Sequence, residues 1–232
     1  MRAKLSVEFI GTFFLCLGAI LAQAPISVAA ILCALIYMGG NVSGAHYNPA
    51  VTFAIWARGR ITGRRAWGYV AVQLVAALFA ALVAGLIHGH SEERAREIIS
   101  TLGESAYDGV GLGCFGEYIG TFLLAFVILM VATSRLTAGN SYFGLAIALT
   151  VLGLSAIFAP LNMAFNPAVQ ITGSTYGLFS AFMSETSVAK AFLQEFTYFS
   201  HFSLRSLIDL SCQLLGGATA AWVFLTIFPE DR

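Results

Sequence analysis

Charge is what this sequence has least of. Of its 232 residues only 10% are Asp, Glu, Lys or Arg, while 58% are hydrophobic; a soluble domain carries about 25% charged and about 45–50% apolar residues. That composition excludes an ordinary water-soluble enzyme, and no nucleophile stands paired with a base to suggest an enzyme of another kind. Net charge is missing as well, with twelve Lys plus Arg against twelve Asp plus Glu. There is no basic field to hold nucleic acid, and no acidic excess of the sort that keeps a tail disordered. The four cysteines, Cys16, Cys33, Cys114 and Cys212, include no Cys-x-x-Cys pair. They read as small buried hydrophobes in preference to a disulfide or metal framework, and no metal or cofactor is expected.

The charges that exist bracket long neutral blocks. Between Glu8 and Arg58 lie 49 residues without a formal charge, and between Arg135 and Glu185 another 49. One membrane crossing takes about 20 residues, so each block holds more than one helix. The N-terminus, with Arg2, Lys4, an apolar run and Ala22-Gln23-Ala24, imitates a cleavable secretion signal. Glu8 inside that run argues against cleavage, as does the repeat to which Glu8 belongs.

That repeat is visible at three landmarks. Glu8-Phe9-Ile10-Gly11-Thr12-Phe13 returns as Glu117-Tyr118-Ile119-Gly120-Thr121-Phe122; Asn48-Pro49-Ala50-Val51 returns as Asn166-Pro167-Ala168-Val169; and Gln73 with its small-residue helix returns at Gln213. The same order in both halves makes chance a poor explanation. The units cover about residues 1–100 and 110–232 of a single 1–232 channel domain. Each holds three crossings, about 5–22, 26–43 and 67–88, then 113–133, 142–159 and 206–228. Three is odd, so the second unit enters from the opposite side and the halves form an inverted pair. With both termini inside, eight of the twelve basic residues fall on the inner side, as the positive-inside rule asks.

Each unit keeps a leftover apolar segment too short to cross, Ala50 to Arg58 and Ala168 to Phe179. Both follow Asn-Pro, a strong helix start, because Asn caps backbone N–H groups and Pro suits the first turn. Two re-entrant half-helices would then meet at mid-membrane with the positive ends of their dipoles facing each other. The expected fold is all-α, six transmembrane helices plus two half-helices in an inverted 3+3 repeat. Residues Gly44, Ala45, His46 and Tyr47, with Asn162, Met163, Ala164 and Phe165, would offer a ladder of carbonyl acceptors, and Asn48 and Asn166 amide donors. Water or a short chain of hydroxyls can trade hydrogen bonds along such a path; an ion loses too much solvation.

At these residues the chain resembles the aquaporin and aquaglyceroporin family, the major intrinsic proteins, over nearly its whole length. The resemblance rests on the doubled Glu-x-x-Gly-Thr-Phe, on Ser43-Gly44-Ala45-His46-Tyr47-Asn48-Pro49-Ala50-Val51-Thr52 and on Asn166-Pro167-Ala168. It implies a homotetramer with one pore per subunit, in the inner cell membrane with both termini cytoplasmic. It implies too that Glu8 and Glu117 brace the re-entrant loops; a proton relay is the alternative reading of those carboxylates.

Departures from the family pattern bear on what would pass. Where most members have an Arg after the second motif, Val169 stands here. The other filter positions fall at Val28, at Gly153 or Leu154, and at Met163, giving an apolar filter. The expected function is a passive channel for water with other small uncharged solutes. The alternatives are a glycerol, urea, hydrogen peroxide or gas facilitator, a non-conducting family member, or an ion-coupled transporter. Ser180 to Leu204 is an added stretch, read as an interfacial amphipathic helix or as a gate over the pore. His88 and His90 read as part of a solvated loop. Asp209 reads as a first-turn carboxylate of the last span, and Gly216 and Gly217 as marks of close helix packing.

Overall fold

A chain surrounded by hydrocarbon must satisfy its backbone within itself, and the apolar runs accordingly fold as helices. The computed structural model describes residues 1–22, 24–88, 110–161, 163–183 and 188–231. Its helices in chain order are α1 (Arg2–Leu21), α2 (Pro25–Gly39), α3 (Pro49–Ala57), α4 (Gly63–His88), α5 (Val110–Ile128), α6 (Phe143–Ile157), α7 (Pro167–Met183) and α8 (Val188–Ile227). A π-turn, Leu129–Thr133, prolongs α5. Among the described residues, four stretches are long and apolar enough to cross a membrane: Arg2–Leu21, Gly63–Ile87, Gly111–Thr133 and Leu204–Ile227. α2 and α6, with 15 residues each, are shorter and reach about 22 Å.

The exterior is apolar, unlike that of a soluble protein, and the interior buries polar groups within an apolar core. Leu78, Phe79, Leu82, Leu86, Leu112, Phe115 and Leu145 are exposed, whereas Glu8, Gln73, Glu117, Asn48 and Asn166 are buried. An apolar outside, with the polar groups withdrawn into the interior, suits lipid as the solvent.

The repeats interlock. α1 packs on α4 and α5 on α8 within each repeat, but α3 lies against α8 and α7 against α4, each half-helix docking on the last helix of the other repeat. Glycines make those approaches close. A β-carbon at Gly216 would stand 3.0 Å from the Phe122 nitrogen on α5, and one at Gly217 would stand 2.7 Å from the Ala50 carbonyl oxygen on α3. The two termini share a face, with Met1 against Gly68 at the start of α4 and Asp231 bonded to Arg58 at the end of α3. We call this the terminal face.

Four expectations need correction. The second half-helix is 17 residues long, not the twelve of Ala168 to Phe179, and runs on to Met183. The added stretch supplies no separate helix within the described residues: α8 begins at Val188 and continues unbroken for 40 residues. Asp209 therefore sits deep inside α8, not in a first turn, and pairs with Arg205 one turn earlier at 3.5 Å. Finally, Cys114 and Cys212 form a disulfide between α5 and α8, with Cα atoms 5.6 Å apart. Residues 98 positions apart come together only through helix packing, which spacing in the sequence does not reveal. Cys16 and Cys33 are free. His90 lies outside the described residues, as does the side chain of His88.

Candidate functional site

The site is built around two helix starts. Asn48 has extended backbone, and its Oδ1 accepts from the nitrogens of Ala50 at 2.8 Å and Val51 at 3.3 Å, with Pro49 in the first helical position. Asn166 repeats the arrangement, accepting from Ala168 N at 2.9 Å. Each side chain also reaches into the other repeat. Asn48 Nδ2 donates to the Phe165 carbonyl at 2.9 Å, and Asn166 Nδ2 donates to the Tyr47 carbonyl at 3.0 Å. An amide carries two N–H bonds, so one is used in each crossing.

The loops ahead of the helices hold left-handed backbone that side chains rarely adopt: φ is 50° at Ala45, 48° at Tyr47 and 52° at Phe165. Such residues cost about 1–3 kcal/mol each and persist only when their surroundings fix them. The doubled Glu-x-x-Gly motif does the fixing. Glu8 accepts from Ser43 Oγ at 2.7 Å and His46 N at 3.0 Å on one oxygen, and from Tyr47 N at 2.9 Å and Gln73 Nε2 at 2.8 Å on the other. Glu117 accepts from Ala164 N at 2.6 Å and Phe165 N at 2.8 Å. Three residues on from each carboxylate, a β-carbon at Gly11 would fall on the Tyr47 ring and one at Gly120 on the Phe165 ring. Carboxylate and glycine thus hold the same loop residue, one by its nitrogen and the other by its ring. Tyr47 is further tied by its hydroxyl to the Leu35 carbonyl at 3.0 Å.

A cavity of about 1110 Å³ passes these groups. Thr133, Ser134 and Asn140 line it toward the terminal face, Asn48, Val51 and Asn166 its middle, and Ala22, Pro25 and Arg205 the opposite end. Gly44, Ala45, His46, Met163, Ala164 and Phe165 line it as well; Asn162 lies outside the described residues. Tyr47 does not line it, since its ring is buried against α1. The carbonyls of Tyr47 and Phe165 are those already engaged by the two asparagines. His46 places Nδ1 3.1 Å from Thr52 Oγ1.

Val28, Met163 and Val169 all line the cavity. Neither expectation for α6 does. Gly153 is on the exposed side of the helix and Leu154 is buried in the apolar core; the lining from this element comes from Phe143, Ile147, Val151 and Ser155, with Phe158 just past its end. One residue of offset turns a helix by about 100°, enough to move a side chain from lumen to core.

Two polar clusters escaped the sequence reading. At the end away from the termini, Arg205 and Asp209 line the cavity, and Ser174 on α7 stands 3.0 Å from Ser206 on α8, Oγ to Oγ. The one clue was a charged i,i+4 pair inside an apolar helix. At the terminal face, Asp231 takes Arg58 at 2.8 Å and Arg60 at 3.1 Å, with Arg135 at 3.8 Å. Arg58 also hydrogen-bonds Thr133 and lies 4.2 Å over the Phe224 ring. Partial burial raises the Asp231 carboxyl, but hydrogen bonds from Ser134 and the Arg135 nitrogen, with the charges of Arg58 and Arg60, outweigh it and hold the group below its usual range. Burial, then repulsion from Arg60, lowers Arg58 against the raising pull of Asp231.

An apolar exterior, a cavity reaching toward both faces and two helix N-termini opposed at its middle define a membrane channel. The profile described as "Major intrinsic protein" matches residues 1–224. The chain belongs to the major intrinsic protein family, that of the aquaporins. It is 35% identical over 188 residues to Aquaporin NIP1-4 of Oryza sativa subsp. japonica, covering 75% of this chain and 66% of that one. It is 36% identical over 144 residues to a probable aquaporin, AqpM, of Archaeoglobus fulgidus, covering 60% and 56%. Among solved structures, the aquaglyceroporin from Plasmodium falciparum shares the fold with a TM-score of 0.72 at 18% identity, over 99% of this chain and 98% of that one.

Proposed function

We propose that the chain, as one 1–232 channel domain, conducts water and other small uncharged solutes passively across the inner cell membrane. Its termini are cytoplasmic, and it assembles as a homotetramer with a pore in each subunit. The observation that carries this is the facing pair Asn48 and Asn166 at the middle of the cavity. Each heads a helix whose positive end points at the lumen, which opposes cations, while each amide and the neighbouring loop carbonyls offer water a partner. The apolar residues Val28, Met163 and Val169 form a filter in which no side chain hydrogen-bonds strongly, and this favours a solute range wider than water alone.

Ion-coupled transport is the weaker alternative. It needs an ionisable group at the midplane free to take and release an ion, and Glu8 and Glu117 are committed to backbone N–H groups of the loops.

Stopped-flow light scattering on proteoliposomes tests the proposal. Shrinkage under an impermeant osmolyte is expected to be faster than in empty vesicles, without saturation or ion dependence. Re-swelling in glycerol or urea would then place the protein among the solute facilitators. No acceleration of either would overturn the channel reading in favour of a non-conducting member.

A further inference from the structure

On the terminal face the starts of α1 and α4 lie side by side. A β-carbon at Gly68 would stand 3.2 Å from the Met1 methyl and 3.4 Å from a Leu5 methyl, which seats the first turn of α1 against the second turn of α4. Four cations gather at this corner, Arg2 and Lys4 on α1 and Arg64 and Arg65 on α4, and neither first turn holds an acid. Arg65 is turned inward, where its charge acts on Tyr69 and His46. The side chains of Arg2, Lys4 and Arg64 have no ion pair or hydrogen bond among the described residues. Asp231, the buried acid of this face, is already held by Arg58 and Arg60.

Cations in a first turn oppose the positive end of the helix dipole, so these do not serve the helices that carry them. What lies next to them is apolar and outward. Trp67 follows Arg64 by three residues, on the same side of α4, and is 75% exposed. Deeper in the same seam, the Phe9 ring of α1 stacks on Phe13 at 6.4 Å and meets Phe79 of α4 edge-on at 6.1 Å. From the terminal face inward, the seam between α1 and α4 therefore runs from free cations to an indole to aromatic rings.

We propose that this corner is a binding site for one anionic phospholipid of the leaflet at the terminal face. Arg64, with Arg2 and Lys4, takes the phosphate; Trp67 stands at the level of the headgroup, and an acyl chain follows the aromatic seam. A guanidinium matches phosphate oxygens in pairs, and indole rings prefer the membrane interface. A zwitterionic lipid offers the same phosphate but brings an ammonium that these cations repel, so the site reads the net charge of the headgroup. The inference needs the chain to lie in a bilayer and does not depend on what the cavity conducts.

The test reads quenching of single-tryptophan proteins by brominated phospholipids in reconstituted vesicles. Trp56→Phe with Trp222→Phe leaves Trp67 as the reporter. Trp56→Phe with Trp67→Phe leaves Trp222, which is exposed near the terminal end of α8 and has no Lys or Arg within two turns along that helix. In competition between brominated phosphatidylglycerol and phosphatidylcholine, Trp67 should report a preference for the anionic lipid of about fivefold or more, and Trp222 less than about twofold. Arg64→Gln, and separately Arg2→Gln with Lys4→Gln, should each lower the preference at Trp67 about fivefold. Arg135→Gln, which removes an exposed cation elsewhere on the same face, should leave it unchanged. Equal preference at the two reporters, or a preference kept in Arg64→Gln, would overturn the inference and leave the channel reading untouched. A Trp67 that neither lipid quenches would overturn it as well, since a second copy of the chain then covers the seam. Should the single-tryptophan proteins fail to reconstitute, native mass spectrometry of otherwise unaltered protein decides: phosphatidylglycerol retained by wild type and lost from Arg64→Gln supports the site, and equal retention counts against it.

Discussion

Asn48 and Asn166 are each bonded into the other's loop, Asn48 to the Phe165 carbonyl at 2.9 Å and Asn166 to the Tyr47 carbonyl at 3.0 Å. The two starts are therefore set by one reciprocal bond pair as well as by their own caps. Because Tyr47 and Phe165 are also the residues gripped by Glu8 and Glu117, the doubled Glu-x-x-Gly motif fixes the positions of both asparagines. The midpoint is held from α1 and α5, through backbone that itself has left-handed geometry.

Asn48→Asp separates capping from charge. The aspartate keeps an acceptor for the nitrogens of Ala50 and Val51, and an anion at a helix N-terminus is favourable by about 0.3–1 kcal/mol. It loses the donor to the Phe165 carbonyl and puts a negative charge at mid-cavity. The variant is expected to fold, to keep measurable water flux and to admit cations, read with a potential-sensitive dye in proteoliposomes. Asn48→Ala loses the cap as well, about 0.5–2 kcal/mol, and should melt earlier. Equal cation tightness in wild type and Asn48→Asp would take Asn48 out of the conducting path.

The two carboxylates should not respond equally to neutralisation. Glu8 accepts four hydrogen bonds, two on each oxygen, so a glutamine there turns its NH₂ toward two donors whichever way the amide lies. Glu117 accepts one backbone N–H on each oxygen. Bonds to a charged acceptor are worth about 1.5–3 kcal/mol each. Glu8→Gln is therefore expected to lower the detergent-solubilised Tm more than Glu117→Gln, as followed by tryptophan fluorescence. The reverse order would show that the first loop is held chiefly by other contacts.

What could be read from the sequence follows from which interactions are local. Asn-Pro at a helix start, a carboxylate and glycine three residues apart, and neutral blocks of membrane length are local patterns, and the fold and helix starts came from them. The lumen-facing register of α6 did not, because the side chain that faces the cavity depends on helix rotation: Leu154 is one residue from Ser155 and Gly153 two from Val151, yet neither lines it. Arg205 fell just outside the crossing read as 206–228 because α8 runs unbroken from Val188, and Cys114 meets Cys212 only through the packing of α5 on α8. The clamp of Arg58 and Asp231 joins residues far apart in the chain with no motif between them.

The disulfide allows a direct count. With Cys114 joined to Cys212 and Cys16 and Cys33 free, denaturation without reductant should expose two alkylatable thiols, rising to four after reduction, as read by mass spectrometry. Closing a long loop typically contributes about 2–4 kcal/mol. Reductant should therefore lower the Tm of wild type and leave a Cys114→Ala, Cys212→Ala double variant unmoved. Four thiols before reduction would remove the bridge.

Acid should loosen the terminal face first. Asp231 is held below its usual carboxyl range, so its ionised form is the one the fold favours. A group with a depressed folded pKa contributes stability that is fully present above its unfolded value, about 3.9, and is lost as pH falls through the lower folded value. From pH 7 to pH 5 the clamp on Arg58, Arg60 and Arg135 should be unchanged; below about pH 4 it should weaken. Asp231 bonds the Arg135 nitrogen and the Arg58 and Arg60 guanidinium groups, and Arg58 in turn bonds Thr133 at the cavity wall. Amide hydrogen exchange over residues 133–140 should therefore rise in acid in wild type. It should already be high at neutral pH, and indifferent to acid, in Asp231→Asn, which leaves a buried guanidinium without its anion. Protection at 133–140 that falls in acid equally in both proteins would assign the effect to another carboxyl and release the inner wall of the cavity from control by Asp231.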